Sequence, residues 1–334
     1  MNHSPASTEN SVPILKVREL KVHFPVKRGL VFQRTGGVVK AVDGVDIEIN
    51  HGETLGLVGE SGSGKTTLGR ALLRLNDTAG GSISYSGQDV LALRGQEMRR
   101  LRKNIGMVFQ DPYGSLNPRM TVGNIVAEPM LVHKIFDNKL EIRNRVMELF
   151  DTVGLNRSMA SRYPHEFSGG QRQRVGIARA LASGPNILIC DEPVSALDVS
   201  IQAQIISLFD RLKLEQQLTY LFIAHDLSVV RHVSDVVAVM YLGKIVEQGN
   251  ADDIYRSPQH PYTQALLSAV PIPDPAVERK RSRTVLKGDI PSPLNPPSGC
   301  VFSPRCPIAE DRCFVETPIS RTLSDGRRAA CHKI

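Results

Sequence analysis

Gly59-Glu60-Ser61-Gly62-Ser63-Gly64-Lys65-Thr66 is the stretch that decides the fold of this 334-residue chain. It matches the pattern GxxxxGK[ST], and its flanks supply the context that pattern requires. The apolar run Thr54–Val58, after the turn signal Asn50-His51-Gly52, reads as a strand; Lys65 to about Leu75 reads as a helix. Glycines let backbone N–H groups turn inward around phosphate oxygens, and the new helix presents its positive end to them. In such a loop the Lys65 ammonium reaches the β- and γ-phosphates, and the Thr66 hydroxyl ligates Mg2+.

Upstream, short β-rich runs fill Ile14–Arg18, Lys21–Phe24, Val38–Val42 and Val45–Ile49. Downstream, Gly80–Tyr85 reads as a strand, Arg94–Lys103 as a charged helix and Ile105–Phe109 as a short strand. From about Pro112 to Ala182 the chain reads as mostly helical, with the clearest 3.6-residue apolar spacing in Leu140–Val153 and Gln171–Leu181. Strands then alternate with helices: Ile187–Cys190, helix Ile201–Leu214, Tyr220–Ala224, helix Leu227–Val233 and Val236–Tyr241. Such alternation predicts an α/β fold with a largely parallel, helix-covered sheet.

Two further segments complement the glycine loop. Ile187-Leu-Ile-Cys-Asp-Glu192 is a buried-strand run ending in two acids. Asp191 there can hold Mg2+ through water, and Glu192 can polarise an attacking water. Phe167-Ser-Gly-Gly-Gln-Arg-Gln-Arg174 opens a helix with a serine and two glycines, a second anion-binding terminus by the same logic or an ordinary helix cap. Two phosphate cradles more than 100 residues apart make sense where two chains share each nucleotide.

Composition bounds the class. Hydrophobic residues make up 41% and charged residues 22%, as in a globular chain with a sizeable core. No apolar run approaches the roughly 18 residues of a spanning helix. The start, MNHSPASTENS, lacks a basic segment followed by an apolar stretch, so the expected compartment is the cytoplasm. The net charge of +7 is uneven: Ala276–Ile334 holds 11 Lys and Arg against 6 Asp and Glu, a net of +5, which leaves +2 for the rest. That implies a basic tail and no nucleic-acid partner. Ten of the 21 prolines fall between Pro271 and Pro318, so this part reads as an extended connection. Cys190 lies in an apolar run, whereas Cys300, Cys306, Cys313 and Cys331 cluster in the last 35 residues. Four thiolates can close a zinc site or bind an iron–sulfur cluster; the absence of CxxC weakens the zinc-ribbon option, and a disulfide or no metal stays open.

Taken together, the segments resemble the ATP-binding subunits of ABC transporters. Gly59–Thr66, with Thr67 after it, resembles Walker A, Ile187–Glu192 Walker B and Ser168-Gly169-Gly170-Gln171 the family signature, with Phe167 where Leu is more usual. Gln110, in Val-Phe-Gln-Asp-Pro, resembles the Q-loop glutamine that senses Mg2+ and water. Ser195-Ala-Leu-Asp198 resembles the D-loop, His225 the switch histidine at the γ-phosphate, and Phe24 the aromatic that stacks on adenine. The resemblance implies a P-loop NTPase fold: a RecA-like core, an antiparallel β subdomain and an inserted helical subdomain at about 112–182. It implies ATP and Mg2+ as ligands, with Thr66, Gln110 and Asp191 around the metal. Glu192 is expected as general base, with Gln110 and His225 assisting. A second, paralogous ATPase subunit would meet this one head to tail, so that its signature completes the phosphate site.

Asp111–Glu166 spans 56 residues, too few for the long coiled coil of chromosome-organising relatives, and the chain carries a single set of motifs. Pro112–Pro118, Arg162–Gly170, Asp191–Ser200, His260–Pro271 and Pro291–Cys300 are similar to the dipeptide and oligopeptide importers, of the OppF/DppF type. That implies an ATPase at the cytoplasmic face of the inner membrane, bound to two permeases and served by an external peptide-binding protein. Nickel or glutathione is the alternative cargo. The expected division is a flexible terminus at 1–13, an ATPase domain at 14–257 and a C-terminal extension at 258–334, where the resemblance favours a [4Fe-4S] cluster on the four cysteines.

Overall fold

The computed structural model describes residues 12–28, 34–270 and 286–334. Most of the terminus expected to be flexible, residues 1–11, lies outside the described residues, as do Pro271, Pro273 and Pro275.

Two sheets carry the fold. A four-stranded antiparallel sheet has the order β2-β1-β4-β5, built from β1 (Leu15–Arg28), β2 (Arg34–Ile49), β4 (Gly80–Tyr85) and β5 (Gln88–Asp89). The paired runs expected at the start of the chain are each a single strand. Glu19 takes a left-handed φ of 46° where the register of β1 shifts, so Ile14–Arg18 and Lys21–Phe24 join across a bulge. Gly44, at φ 82°, does the same within β2.

The second sheet runs through β6 (Ile105–Val108), β7 (Ile187–Asp191), β8 (Thr219–Ala224), β3 (Thr54–Val58) and β9 (Val236–Tyr241), all parallel. It continues antiparallel into β10 (Lys244–Asn250), β12 (Arg328–Ala329) and β11 (Arg321–Thr322). The central strands are apolar throughout because both faces are buried. Leu55, Leu57, Ile189, Leu221 and Ile223 face a core shared with the antiparallel sheet and helix α1 (Lys65–Leu72). Val58, Leu188, Cys190, Phe222 and Val239 face the opposite core. There they meet α3 (Val122–Val132), α4 (Lys139–Thr152) and α5 (Gly169–Leu181), the helices expected within 112–182. Helix α2 (Gly95–Asn104) precedes β6, while α6 (Val199–Gln216) and α7 (Leu227–Val233) bracket β8. Helix α1 stops three residues short of the expected Leu75: Arg74 adopts φ 50° and donates its N–H to the Ala71 carbonyl, which closes the helix.

Between residues 286 and 318 the described part of the proline-rich span holds only a one-turn 3-10 helix (Ser303–Arg305) and one short helix, and the other C-terminal elements flank it. Helices α8 (Ala251–Arg256) and α9 (Pro261–Ala269) follow β10, and a short α10 (Asp311–Val315) and the β11–β12 hairpin come later. Pairing of β12 with β10 carries the sheet across the expected boundary at 257/258. Tyr241 at the end of β9, Tyr262 on α9 and Phe302 form a buried aromatic triangle, with ring centroids 4.6–5.4 Å apart. Burial of each ring stabilises by about 1.5–3 kcal/mol, with about 0.5–1.5 kcal/mol more per ring pair. The extension is thus seated on the core beside the glycine loop.

Candidate active site

Loop, strand ends and helix starts converge on a cavity of about 500 Å³. Ser61, Gly62, Gly64, Lys65, Thr66 and Thr67 line its floor, Gln110, Glu192 and His225 one side, and Val39, Ala41 and Pro293 the other. Glycine is required at Gly64: its φ is 108°, and a Cβ there would collide with the Ala41 carbonyl oxygen. Gly64 is also the N-cap of α1 and offers no side-chain cap, so the first N–H groups of the helix remain open toward the cavity. The backbone therefore presents donors where a polyphosphate would sit.

Lys65 is folded back onto its own loop. Its ammonium donates to the carbonyls of Gly59 at 2.7 Å and Glu60 at 2.9 Å, with Ser63 Oγ at 3.4 Å. Burial pushes its pKa down, opposed by the carboxylates of Glu192, Asp191 and Glu60. Gly59 and Ser63 thus act from behind the cavity wall, through the lysine.

Thr66 Oγ1 donates to Asp191 Oδ1 at 2.7 Å, which joins the start of α1 to the end of β7. Asp191 is fully buried, and its Oδ2 has no hydrogen-bond partner. Burial raises its pKa; the Thr66 hydrogen bond and Arg70 act in the opposite direction. A hydroxyl beside a buried carboxylate with one orphaned oxygen fits a hydrated Mg2+, a hard cation that takes oxygen donors.

One residue further, the backbone of Glu192 turns into the left-handed region at φ 46°, held by its N–H to the Ile223 carbonyl at 2.9 Å. Non-glycine residues seldom adopt this conformation, and it aims the carboxylate into the cavity instead of along the sheet. Gln110 Nε2 donates to Glu192 Oε2 at 2.8 Å, and His225 Nδ1 lies 3.3 Å from the same oxygen. Three expected residues from three strand ends therefore meet at one carboxylate.

Other expected residues lie elsewhere. Ser168 caps α5: its Oγ accepts from Gln171 N–H at 3.3 Å, and Gln171 Oε1 accepts from Ser168 N–H at 3.0 Å. Ser168, Gly169, Gly170 and Gln171 do not line this cavity. Asp198 is exposed at the start of α6, without a side-chain capping bond. Phe24 does not line the cavity either; it is exposed and cross-strand from Val39, and the β2 residues Val39 and Ala41 do line it. Cys300, Cys306, Cys313 and Cys331 are free thiols close enough to influence one another. Burial pushes Cys300, Cys306 and Cys331 up. Among the described residues no group of three or more His, Cys, Asp or Glu side chains is set to hold a metal ion. The cluster and zinc expectations thus find the thiols gathered without a preformed cage.

Tyr262 and Pro293 lie in the segments His260–Pro271 and Pro291–Cys300 that resemble the peptide importers, but neither they nor Arg305 were expected at this site. Pro293 faces the cavity while its carbonyl accepts from Lys40 N–H at 3.1 Å; Tyr262 and Arg305 hold Glu60.

A glycine-rich phosphate-type loop, a buried acid one residue before a second carboxylate, and a glutamine and histidine converging on that carboxylate are the arrangement of an ATP-binding cassette. A family model described as "ABC transporter" matches residues 42–195, and one described as "Oligopeptide/dipeptide transporter, C-terminal region" matches 246–313. The chain is 54% identical over 324 residues to the oligopeptide transport ATP-binding protein AppF of Bacillus subtilis, covering 97% of this chain and 98% of the relative. It is 51% identical over 315 residues to OppF of Salmonella typhimurium, covering 94% of each. Among solved structures, the dimeric MJ0796 cassette in a post-hydrolysis state bound to ADP and phosphate matches with TM-score 0.63 at 28% identity, over 71% of this chain and 98% of that one. CbiO1 of Clostridium perfringens, part of the transporter complex cbiONQ, matches with TM-score 0.62 at 29% identity, over 73% and 91%. The chain belongs to the ABC transporter ATP-binding family, in its oligopeptide/dipeptide transport branch.

Proposed function

We propose that this chain is the ATP-hydrolysing subunit of an ABC importer for di- and oligopeptides, working at the cytoplasmic face of the inner membrane. The observation that carries the ATPase reading is the meeting of Gln110 and His225 on Glu192 beside the phosphate loop. The two family regions and the oligopeptide-transport relatives support the peptide cargo. Among the described residues no helix is long and apolar enough to cross a membrane, so in this reading two permease subunits provide the path and an external binding protein delivers the peptide.

In this reading the α1 N-terminus and Lys65 hold the β- and γ-phosphates, and Thr66 and Asp191 hold hydrated Mg2+. The ion, when bound, neutralises charge on the phosphate oxygens. Glu192 takes a proton from the attacking water as that oxygen bonds to the γ-phosphorus and the bond to the β–γ bridging oxygen breaks, giving ADP and phosphate. Gln110 and His225 keep the carboxylate aimed at that water. The distance of Ser168–Gln171 from their own cavity supports a head-to-tail pair, in which each signature covers the partner's ATP. Hydrolysis then reopens the pair, and the permeases follow as the population shifts. In the tail, the four thiols would be the donors for the [4Fe-4S] cluster that the family resemblance favours, although as they stand they form no ready site for a metal; iron and acid-labile sulfide measured in an anaerobic preparation decide that part.

Uptake of labelled di- to hexapeptides in a deletion host, complemented with wild type or Glu192→Gln, tests the whole. Uptake restored by the wild type alone supports it. Normal uptake in a deletion host without a redundant importer overturns the peptide cargo.

A further inference from the structure

Glu60, the second residue of the phosphate loop, is held from three directions. Its carbonyl accepts from Lys65 Nζ at 2.9 Å. Its N–H donates to Tyr262 Oη at 2.9 Å. Its carboxylate takes both terminal nitrogens of Arg305, at 2.7 and 3.1 Å. Tyr262 and Arg305 come from the C-terminal part, 202 and 245 residues away in sequence.

Arg305 is built into place. It ends a one-turn 3-10 helix (Ser303–Arg305) between Cys300 and Cys306, and its side chain is only 8% exposed. Tyr241 Oη lies 3.5 Å from its Nη1, and the buried Nε has no partner. A guanidinium taken this far out of water, with both terminal nitrogens on one carboxylate, is placed for that carboxylate. The electrostatic reason is local. A bare carboxylate in a loop that receives a polyphosphate repels its ligand, and low surrounding polarity strengthens the repulsion.

We propose that Arg305 is a positioning residue for nucleotide binding: it reaches from the C-terminal extension to neutralise Glu60 and fix the phosphate loop, so the extension is a working part of the ATP site. The inference rests on the ATP-binding reading and adds a determinant of affinity to it. Arg305 does not line the cavity, so its effect falls on binding and leaves the chemical step alone.

The test is MgATP binding and steady-state hydrolysis with the full chain, for wild type, Arg305→Gln, Arg305→Lys, Glu60→Gln and the Glu60→Gln/Arg305→Gln double variant. Loss of the paired charge should weaken MgATP binding and raise KM by about tenfold to a hundredfold, with kcat unchanged at saturation. Arg305→Lys keeps the charge and should recover most of that loss. With Glu60 already neutral, removing Arg305 should change affinity less than about threefold. An Arg305→Gln chain that binds MgATP like wild type overturns the proposal. So does an equal loss of affinity in the Glu60→Gln background, because the arginine would then act through packing alone. Should Arg305→Gln fail to fold, Arg305→Met, which removes the charge and keeps most of the side-chain volume, is read in its place, and wild-type MgATP affinity in that variant overturns the proposal. A wild type that binds no MgATP would instead defeat the ATPase reading.

Discussion

Gln110 and Glu192 meet at 2.8 Å although 82 residues separate them in sequence. Gln110 lies just past β6, where the chain leaves the sheet for the helical segment, and Glu192 lies just past β7. In the proposed function, the contact would join the element that follows a membrane partner to the carboxylate proposed as general base. A shift of the helical segment that draws Gln110 away leaves Glu192 held by His225 alone.

Glu192→Gln keeps the shape of the carboxylate and removes its basicity. MgATP binding should stay within about threefold of wild type, while kcat falls by about a hundredfold or more. Phosphate release and nucleotide binding, measured on the same preparation, separate the two effects. Undiminished turnover would remove Glu192 as the base.

Asp191→Asn replaces one of the two carboxylate oxygens with a donor, beside an Oδ2 that already lacks a partner. The Mg2+ concentration for half-maximal hydrolysis should rise by about tenfold to a hundredfold. A Mg2+ titration at saturating ATP reads this directly, and an unchanged midpoint would free Asp191 from the metal.

Gly64→Ala forces a Cβ into a backbone at φ 108° and against the Ala41 carbonyl. The strain should cost about 1–3 kcal/mol, seen as a lowered melting temperature together with loss of MgATP binding. The same change at Gly62, where a Cβ meets nothing within 4 Å, retains the strain of its φ of 79° but avoids the collision, and should cost less.

His260 gives a pH signature. It is 1% exposed, its Nδ1 accepts from Tyr262 N–H at the start of α9, and burial pushes its pKa down to about 3. The unfolded chain protonates this ring near pH 6.5 and the folded chain does not, so the contribution is complete above that pH. It is lost as pH falls from about 6.5 toward 3, at up to about 1.4 kcal/mol per pH unit. Denaturant unfolding at pH 7, 6 and 5 should show this slope, and His260→Asn, which can still cap the helix, should flatten it. Equal slopes in the two proteins would remove His260 as the origin.

Legibility followed the range of the physics. Val58–Lys65, Ile187–Glu192 and Ser168–Gln171 declare themselves because loop geometry, strand burial and helix capping are set by neighbours in sequence. The parallel strands were readable for the same reason: a strand covered on both faces is apolar at every position. The bulge at Glu19 was not, since nothing in Arg18-Glu19-Leu20 signals a left-handed residue. The place of Pro293, Tyr262 and Arg305 at the loop was not legible either, although the first two lie in segments that resemble the importers, because only tertiary packing brings them there. Phe24, expected to stack on adenine, is exposed across from Val39, which lines the cavity.

The antiparallel pairing of β12 with β10 also bears on handling the protein. Without β11 and β12, β10 would present an open row of N–H and C=O groups, a template for another copy's strand. A chain cut back to the cassette alone would therefore tend to aggregate by edge-to-edge association. The hairpin covers that edge at Glu247 and Gln248, where β12 pairs with it.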